Sequence, residues 1–336
     1  MSELRQDPLV NRWVIIAEER ASRPSAFGHG ESPSTLAAEC PFCPGHERET
    51  CSEVLAVREP GTAPDTPGWR VRVVPNKFPA LRDEVPDPVP CSDLYRVLAG
   101  RGVHEVIVEG SGHTRSISEL ERPLVREVFE VYHERIATLA RVTDLPLTTG
   151  VIIKNVGRPA GASIDHCHSQ LIAPPVVPVN LAAELHMVAD WHARHGESRF
   201  DVLIATERAT GVRIVHEGQH IVALCPYAPR FPYETWLLPT APVSHFEDTT
   251  SATRAELADV VRDILSGMEA DLGHPPYNYV LHSAPFRDAA PSYRWRVEIL
   301  PRVTRVAGFE QATGLYINPI SPERSAAALR EHLRRR

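Results

Sequence analysis

The sequence predicts an α+β protein made of two repeats, each a mainly antiparallel sheet with one packed helix. Three observations point there. Strands and a helix recur in the same order in both halves, each helix carries apolar residues along one face, and no apolar run approaches bilayer length.

In chain order, Arg12-Trp13-Val14-Ile15-Ile16-Ala17 reads as a strand, and a Pro/Gly/Ser-rich loop over residues 25–34 leads toward Cys40. A proline-rich loop over 59–67 precedes a strand over 69–74, and residues 83–91 are again irregular. The first repeat then runs through Pro75-Asn76-Lys77-Phe78-Pro79, a strand over 104–108, a helix over 121–141, a strand over 150–155 and the segment His166-Cys167-His168-Ser169-Gln170. The second repeat follows with a strand over 221–227, another over 233–239, a helix over 253–272, a strand over 277–282 and a last strand over 294–301. Leu124, Val128, Tyr132, Ile136 and Leu139 recur every three to four residues, as do Leu257, Val260, Val261, Ile264 and Met268, so each helix lays one face on a sheet. The repeats divide the chain into halves at 1–178 and 179–336.

Composition sets limits on function. With 43% hydrophobic and 24% charged residues, the 336-residue chain can bury a large core and is not expected to be disordered. A net charge of −7 argues against a general nucleic-acid binder, which needs a basic field, but leaves room for a small anionic substrate. The opening residues lack the apolar stretch of a signal peptide, so a soluble, cytoplasmic protein without membrane partners is expected. The only lysines are Lys77 and Lys154, each beside an asparagine. They read either as phosphate contacts or as the residue of a bias toward arginine. Of six cysteines, Cys40 and Cys43 alone have diagnostic spacing; Cys51, Cys91 and Cys225 read as partly buried thiols.

The chemistry centres on the histidine pair. In a strand, His166, His168 and Gln170 share one face while Cys167 points away, and three polar side chains on one face are costly unless a site uses them. A neutral imidazole can attack phosphorus and leave again from the phosphoramidate, provided its second nitrogen is held by an acceptor such as a backbone carbonyl. His168 is the candidate nucleophile. Gln170 and Ser163 can donate to non-bridging phosphate oxygens. Gly157 and Gly161, with Ala162 following, form a loop on which a nucleotide phosphate could rest against backbone N–H groups.

These residues resemble the galactose-1-phosphate uridylyltransferase family, a branch of the histidine-triad superfamily. Asn155, Ser163, His166, His168 and Gln170 match its Asn…Ser-x-x-His-x-His-x-Gln motif, Asn76 matches its nucleoside-side asparagine, and Arg20 and Arg23 resemble an Arg-x-x-Arg-Pro segment that reaches a partner subunit's site. Phe309 and Glu310 resemble part of a segment near the sugar. The resemblance implies histidine-triad-like repeats, a homodimer, and ping-pong transfer of UMP from a UDP-hexose through His168 to a hexose-1-phosphate. It also implies one structural zinc held by Cys40, Cys43, His113 and His166, with His46 and Cys51 as fallback ligands.

The sequence departs from the family pattern at two places. Arg294-Trp295-Arg296 stands where many relatives carry a second His-x-His that, with counterparts of His282 and Glu184, holds a second metal; no second metal is therefore expected. Those arginines read either as an acceptor-phosphate clamp or as solvent-facing charge. Cys167 and Ser169 replace the more usual proline and glycine, and His-Ser-His-Ser-Gln-like variants occur in relatives that handle adenylylated sugars or use inorganic phosphate as acceptor. An adenylyl-sugar phosphorylase or adenylyltransferase with the same intermediate is thus the alternative, and a histidine-triad hydrolase a third reading, disfavoured by Gln170.

Overall fold

A computed structural model describes residues 3–6, 9, 13–16, 37–87 and 97–335. Arg20, Arg23, Cys91 and the expected loop at 25–34 lie outside the described residues.

In chain order the strands and helices are β1 (Glu3–Gln6), β2 (Trp13–Ile16), β3 (Leu55–Arg58), β4 (Trp69–Pro75), β5 (Val103–Val108), α1 (Arg122–Ala140), β6 (Val151–Val156), β7 (His168–Ala173), α2 (Val179–His195) and α3 (Arg199–Thr210). They continue with β8 (Ile214–Glu217), β9 (Ile221–Leu224), β10 (Thr235–Pro239), α4 (Ser251–Leu272), β11 (Tyr277–His282), β12 (Arg296–Pro301), α5 (Gly308–Thr313), β13 (Tyr316–Asn318) and α6 (Pro322–Arg334). Ten strands form one sheet in the order β3-β4-β5-β7-β6-β11-β12-β10-β9-β8, with every pairing antiparallel. The order reads alike from both ends. β6 and β11 meet at the centre, with Tyr277 opposite Val156 and Leu281 opposite Ile152, so the two repeats share one sheet. A smaller sheet joins β1, β2 and β13.

The helices α1 and α4 cover one face, as their spacing predicts. Val128, Phe129, Ile136, Leu257, Val261 and Ile264 are fully or almost fully buried there against alternate strand residues such as Val71, Ile107 and Leu171. Pro123 sits in the first turn of α1, where its missing N–H leaves no bond unmade, and the Thr250 hydroxyl accepts the Thr253 N–H at 3.2 Å to start α4. The opposite face is covered in two parts. Phe42, Trp69, Val74, Val106 and Val108 pack together over the first repeat, and α2 and α3 pack on Val222, Leu224, Trp236 and Leu238 over the second. No helix among the described residues is long and apolar enough to cross a membrane.

The structure differs from expectation in three respects, the first being that the repeats share one sheet where a sheet in each was expected. Helices α2, α3, α5 and α6 and strands β1, β3, β8 and β13 had no sequence assignment; α3, for instance, buries only Phe200, Ile204 and Glu207, too sparse a stripe to declare a helix. Strand β7 begins at His168, not His166. The residues before it instead bond to a loop, with the Cys167 N–H donating to the Thr114 carbonyl at 2.7 Å, and His166 turns toward the cysteine knuckle.

Candidate active site and metal centre

The face of β7 opposite α1 carries His168 and Gln170, which open into a cleft of about 280 Å³. Phe42, Asn76, Lys77, Phe78, Val106 and Ser163 share that cleft. His168 is 8% exposed, and its ring centroid lies 5.1 Å from that of Phe42 in an edge-on arrangement. Its Nδ1 donates to the His166 carbonyl at 2.6 Å, which fixes the neutral tautomer and leaves Nε2 with a lone pair. Burial holds the His168 imidazole below its ordinary value, and the Lys154 ammonium beneath the strand acts in the same direction, so the ring is neutral near pH 7.

Behind the strand is a polar network that the sequence did not announce. Lys154, fully buried, pairs with Glu109 and donates to Cys167 Sγ at 3.2 Å and to the His168 carbonyl at 3.1 Å. Burial opposes a charge on Glu109, yet Lys154 and the Tyr132 hydroxyl hold its carboxyl below the usual range. Lys154 is therefore a core cation on the far face and not a phosphate contact. Lys77 does line the cleft, where its Nζ donates to the Glu49 carbonyl at 3.1 Å.

The glycine loop forms a tight turn after β6. The N–H groups of Ala160, Gly161 and Ala162 donate to the carbonyls of Gly157, Arg158 and Gly157 at 3.0, 2.9 and 3.2 Å. Gly157 and Gly161 have φ of 79° and 91°, which this tight turn requires. Asn155 follows Ile153, the partner of Gln170, by two residues on the His168 face, and its Oδ1 accepts from Asn278 at 2.7 Å. Phe309 and Glu310 lie on α5, where Glu310 caps the Ala307 N–H at 3.0 Å; they are not among the residues lining the cleft.

Cys40, Cys43, His113 and His166 converge, with one candidate ligand atom from each within 4.8 Å of the others. His113 Nδ1 is 3.3 Å from Cys43 Sγ, and His166 Nδ1 is 3.6 and 3.5 Å from the sulfurs of Cys40 and Cys43. Tetrahedral zinc with ordinary bond lengths places sulfur and nitrogen ligands about 3.5 Å apart, so the spacing fits that ion. The His166 Nε2–H donates to the Gly110 carbonyl at 2.7 Å, leaving Nδ1 to face the sulfurs. Burial and the neighbouring Cys40 push the Cys43 thiol up to about 11, a penalty that a dication would offset. The fallback ligands are not drawn in: His46 Nδ1 contacts the Cys40 carbonyl at 2.7 Å, and Cys51 faces a separate cavity.

The second repeat is built differently at the equivalent position, where Arg296 opens β12 as His168 opens β7. Both expectations for the arginines are corrected. Arg296 is buried and bridges Glu184 and Glu298, with its NH2 at 2.8 and 2.7 Å from their oxygens. Arg294, also buried, donates to the Pro239, Thr240 and Ala241 carbonyls at 2.6, 2.8 and 3.1 Å and pairs with Asp201. Neither is a surface charge or a phosphate clamp. Burial would raise the Glu298 carboxyl, but Arg230 and Arg296 hold it well below the usual range. Replacing Arg296 with methionine strands Glu184 without its counter-charge and is expected to cost about 3–5 kcal/mol in urea unfolding. A loss below about 1 kcal/mol would show that the cluster does not hold α2 to β12.

Sequence reasoning missed three contributors: Phe42, Glu109 and His104. The sequence marks His104 only as a strand residue, yet its Nε2 lies 2.7 Å from Gln170 Oε1. A polar residue opening an apolar strand on the same face as the motif was the available signal.

Known proteins resemble the chain throughout its length. Residues 1–178 match the family model described as galactose-1-phosphate uridyl transferase, N-terminal domain, and residues 147–336 match one described as a domain of unknown function. An ADP-glucose phosphorylase of Arabidopsis thaliana is 33% identical over 98% of this chain and 92% of its own length. The crystal structure of an ADP-glucose phosphorylase from Arabidopsis thaliana with bound ADP-glucose superposes with a TM-score of 0.82 at 32% identity, covering 98% of both chains. A galactose-1-phosphate uridylyltransferase of Thermotoga maritima is 27% identical over 98% of each chain.

Proposed function

This chain belongs to the galactose-1-phosphate uridyl transferase family of nucleotidyltransferases, and from that premise we propose that it moves a nucleoside monophosphate between phosphorylated acceptors through a covalent link to His168. The observation that carries this reading is the single hydrogen bond from His168 Nδ1 to the His166 carbonyl, which leaves Nε2 as the nucleophile. In the first half-reaction Nε2 attacks the α-phosphorus of a nucleoside diphosphate sugar. The bond from that phosphorus to the bridging oxygen breaks, and the sugar-1-phosphate leaves with the electron pair. In the second, an acceptor phosphate oxygen attacks the same phosphorus and the imidazole departs. The Nδ1 proton stays on the ring throughout, and the His166 carbonyl steadies the positive charge that develops. Gln170 and Ser163 donate to the non-bridging oxygens, while Asn76 and Phe78 line the nucleoside side of the cleft.

Cys40, Cys43, His113 and His166 would hold one zinc ion, which supplies a structural clamp between the knuckle and the segment entering β7. Residues 1–178 would carry the chemistry and residues 179–336 its scaffold, with Arg20 and Arg23 serving a partner subunit in a homodimer.

AMP is the nucleotide we favour. The relative named ADP-glucose phosphorylase is more similar than the uridylyltransferase of Thermotoga maritima, and Cys167 and Ser169 depart from the usual uridylyltransferase motif. Transfer of UMP between a UDP-hexose and a hexose-1-phosphate is the second reading, favoured by the family model matched over 1–178. Product analysis separates them. ADP-glucose with orthophosphate is expected to give ADP and glucose-1-phosphate. UDP-galactose formed faster, from UDP-glucose and galactose-1-phosphate, would return the assignment to UMP transfer. Free AMP or UMP released at the same rate with or without acceptor would make the chain a hydrolase.

A further inference from the structure

His104 belongs to no motif, yet the register of the sheet places it beside the chemistry. β5 pairs with β7 so that Val106 faces Gln170 and His104 faces Ile172. His104 and Gln170 are therefore diagonal neighbours on the face that carries His168.

Hydrogen bonds around the His104 ring determine where its proton resides. The Ala80 backbone N–H donates to Nδ1 at 3.0 Å, and a nitrogen that accepts must hold a lone pair. The proton of the neutral ring is therefore on Nε2. That nitrogen lies 2.7 Å from the end of the Gln170 side chain, and a proton there can be received by the amide oxygen but not by the NH2 group. The direction of the Gln170 amide follows: Oε1 toward His104, NH2 available to the cleft that Gln170 lines. Asn76 is set by the same neighbourhood. Its Oδ1 accepts the Phe78 N–H at 2.9 Å, and its Nδ2, 3.1 Å from His104 Nε2, faces a like donor in this tautomer and makes no hydrogen bond to it.

We propose that His104 is a positioning residue for nucleotidyl transfer: as the Nε2–H tautomer set by Ala80, it pins the Gln170 carbonyl and thereby aims the Gln170 amide donors at the reacting phosphate. The inference rests on the function proposed above. A primary amide is nearly symmetric in shape, so without the pin Gln170 can turn its oxygen toward an anionic phosphate, replacing an attraction with a repulsion. The effect belongs to the transition state, where charge on the non-bridging oxygens is greatest.

The test uses the full chain in single-turnover nucleotidylation of His168 by ADP-glucose and by UDP-glucose. His104→Phe is expected to slow the step about 10- to 100-fold, up to the loss known for one oxyanion donor, while the sugar-nucleotide dissociation constant moves by less than about threefold. His104→Gln, whose amide offers both a donor and an acceptor, is expected to recover most of the rate. In a Gln170→Ala background His104→Phe should add no further loss, because the histidine acts only through that amide. Nitrogen-15 shifts of the resting protein should show His104 protonated at Nε2. A ring protonated at Nδ1, or a His104→Phe effect undiminished by Gln170→Ala, overturns the inference. A wild-type chain that takes up no nucleotide overturns the transfer reading instead, and the tautomer still reports on the pin by itself.

Discussion

His168→Asn is expected to lower turnover by about 10⁴-fold or more, since it removes the nucleophile and leaves binding alone to assist the reaction. Asparagine is chosen because its amide can still donate to the His166 carbonyl, the bond made by His168 Nδ1 at 2.6 Å. The variant should keep the wild-type unfolding midpoint and metal content, so that the loss is chemical. His168 sits above a fully buried Lys154–Glu109 pair and against Phe42, and an asparagine leaves both intact. Steady-state rates with ADP-glucose and UDP-glucose check the result. Activity retained within about tenfold of wild type would place the covalent step elsewhere.

The second large effect concerns the metal centre. Cys43→Ser and His113→Ala each remove one of four converging ligands, and each variant is expected to lose its equivalent of zinc by elemental analysis. Because zinc would bind the folded chain alone, its loss lowers stability by about 4 kcal/mol at free zinc roughly a thousandfold above the dissociation constant. Transfer should suffer as well. His166 is both a ligand candidate and the residue whose carbonyl orients His168, so releasing it displaces the nucleophile, and a misplacement of about 1 Å costs on the order of 10²-fold. Variants that keep a full equivalent of zinc would remove the centre from the account.

Much of this was legible in the sequence because it follows from local pattern. The apolar spacing in α1 and α4 located both helices within two residues of their ends, and the repeated order of elements foretold two antiparallel repeats, although it gave each its own sheet where β6 and β11 join them into one. The ligand set Cys40, Cys43, His113 and His166 came from a resemblance, and the four side chains converge. What the sequence withheld depends on long-range partners. Lys154 beside Asn155 looks like a phosphate contact until Glu109, forty-five positions away, is seen to neutralise it in the core. Arg294 and Arg296 looked like surface or clamp charges because their partners Asp201 and Glu184 come from other elements. Glycine spacing says where a turn can form, but not whether its N–H groups are already taken.

The most direct test of the central claim is the mass of the intact chain, taken under non-acidic conditions after incubation with ADP-glucose or UDP-glucose and no acceptor. One nucleoside monophosphate per chain is predicted, AMP from the favoured donor, mapping to His168 and discharged when orthophosphate or a sugar-1-phosphate is added. A wild-type chain that turns over its substrate while its mass never changes, or an adduct that persists in His168→Asn, would contradict the account.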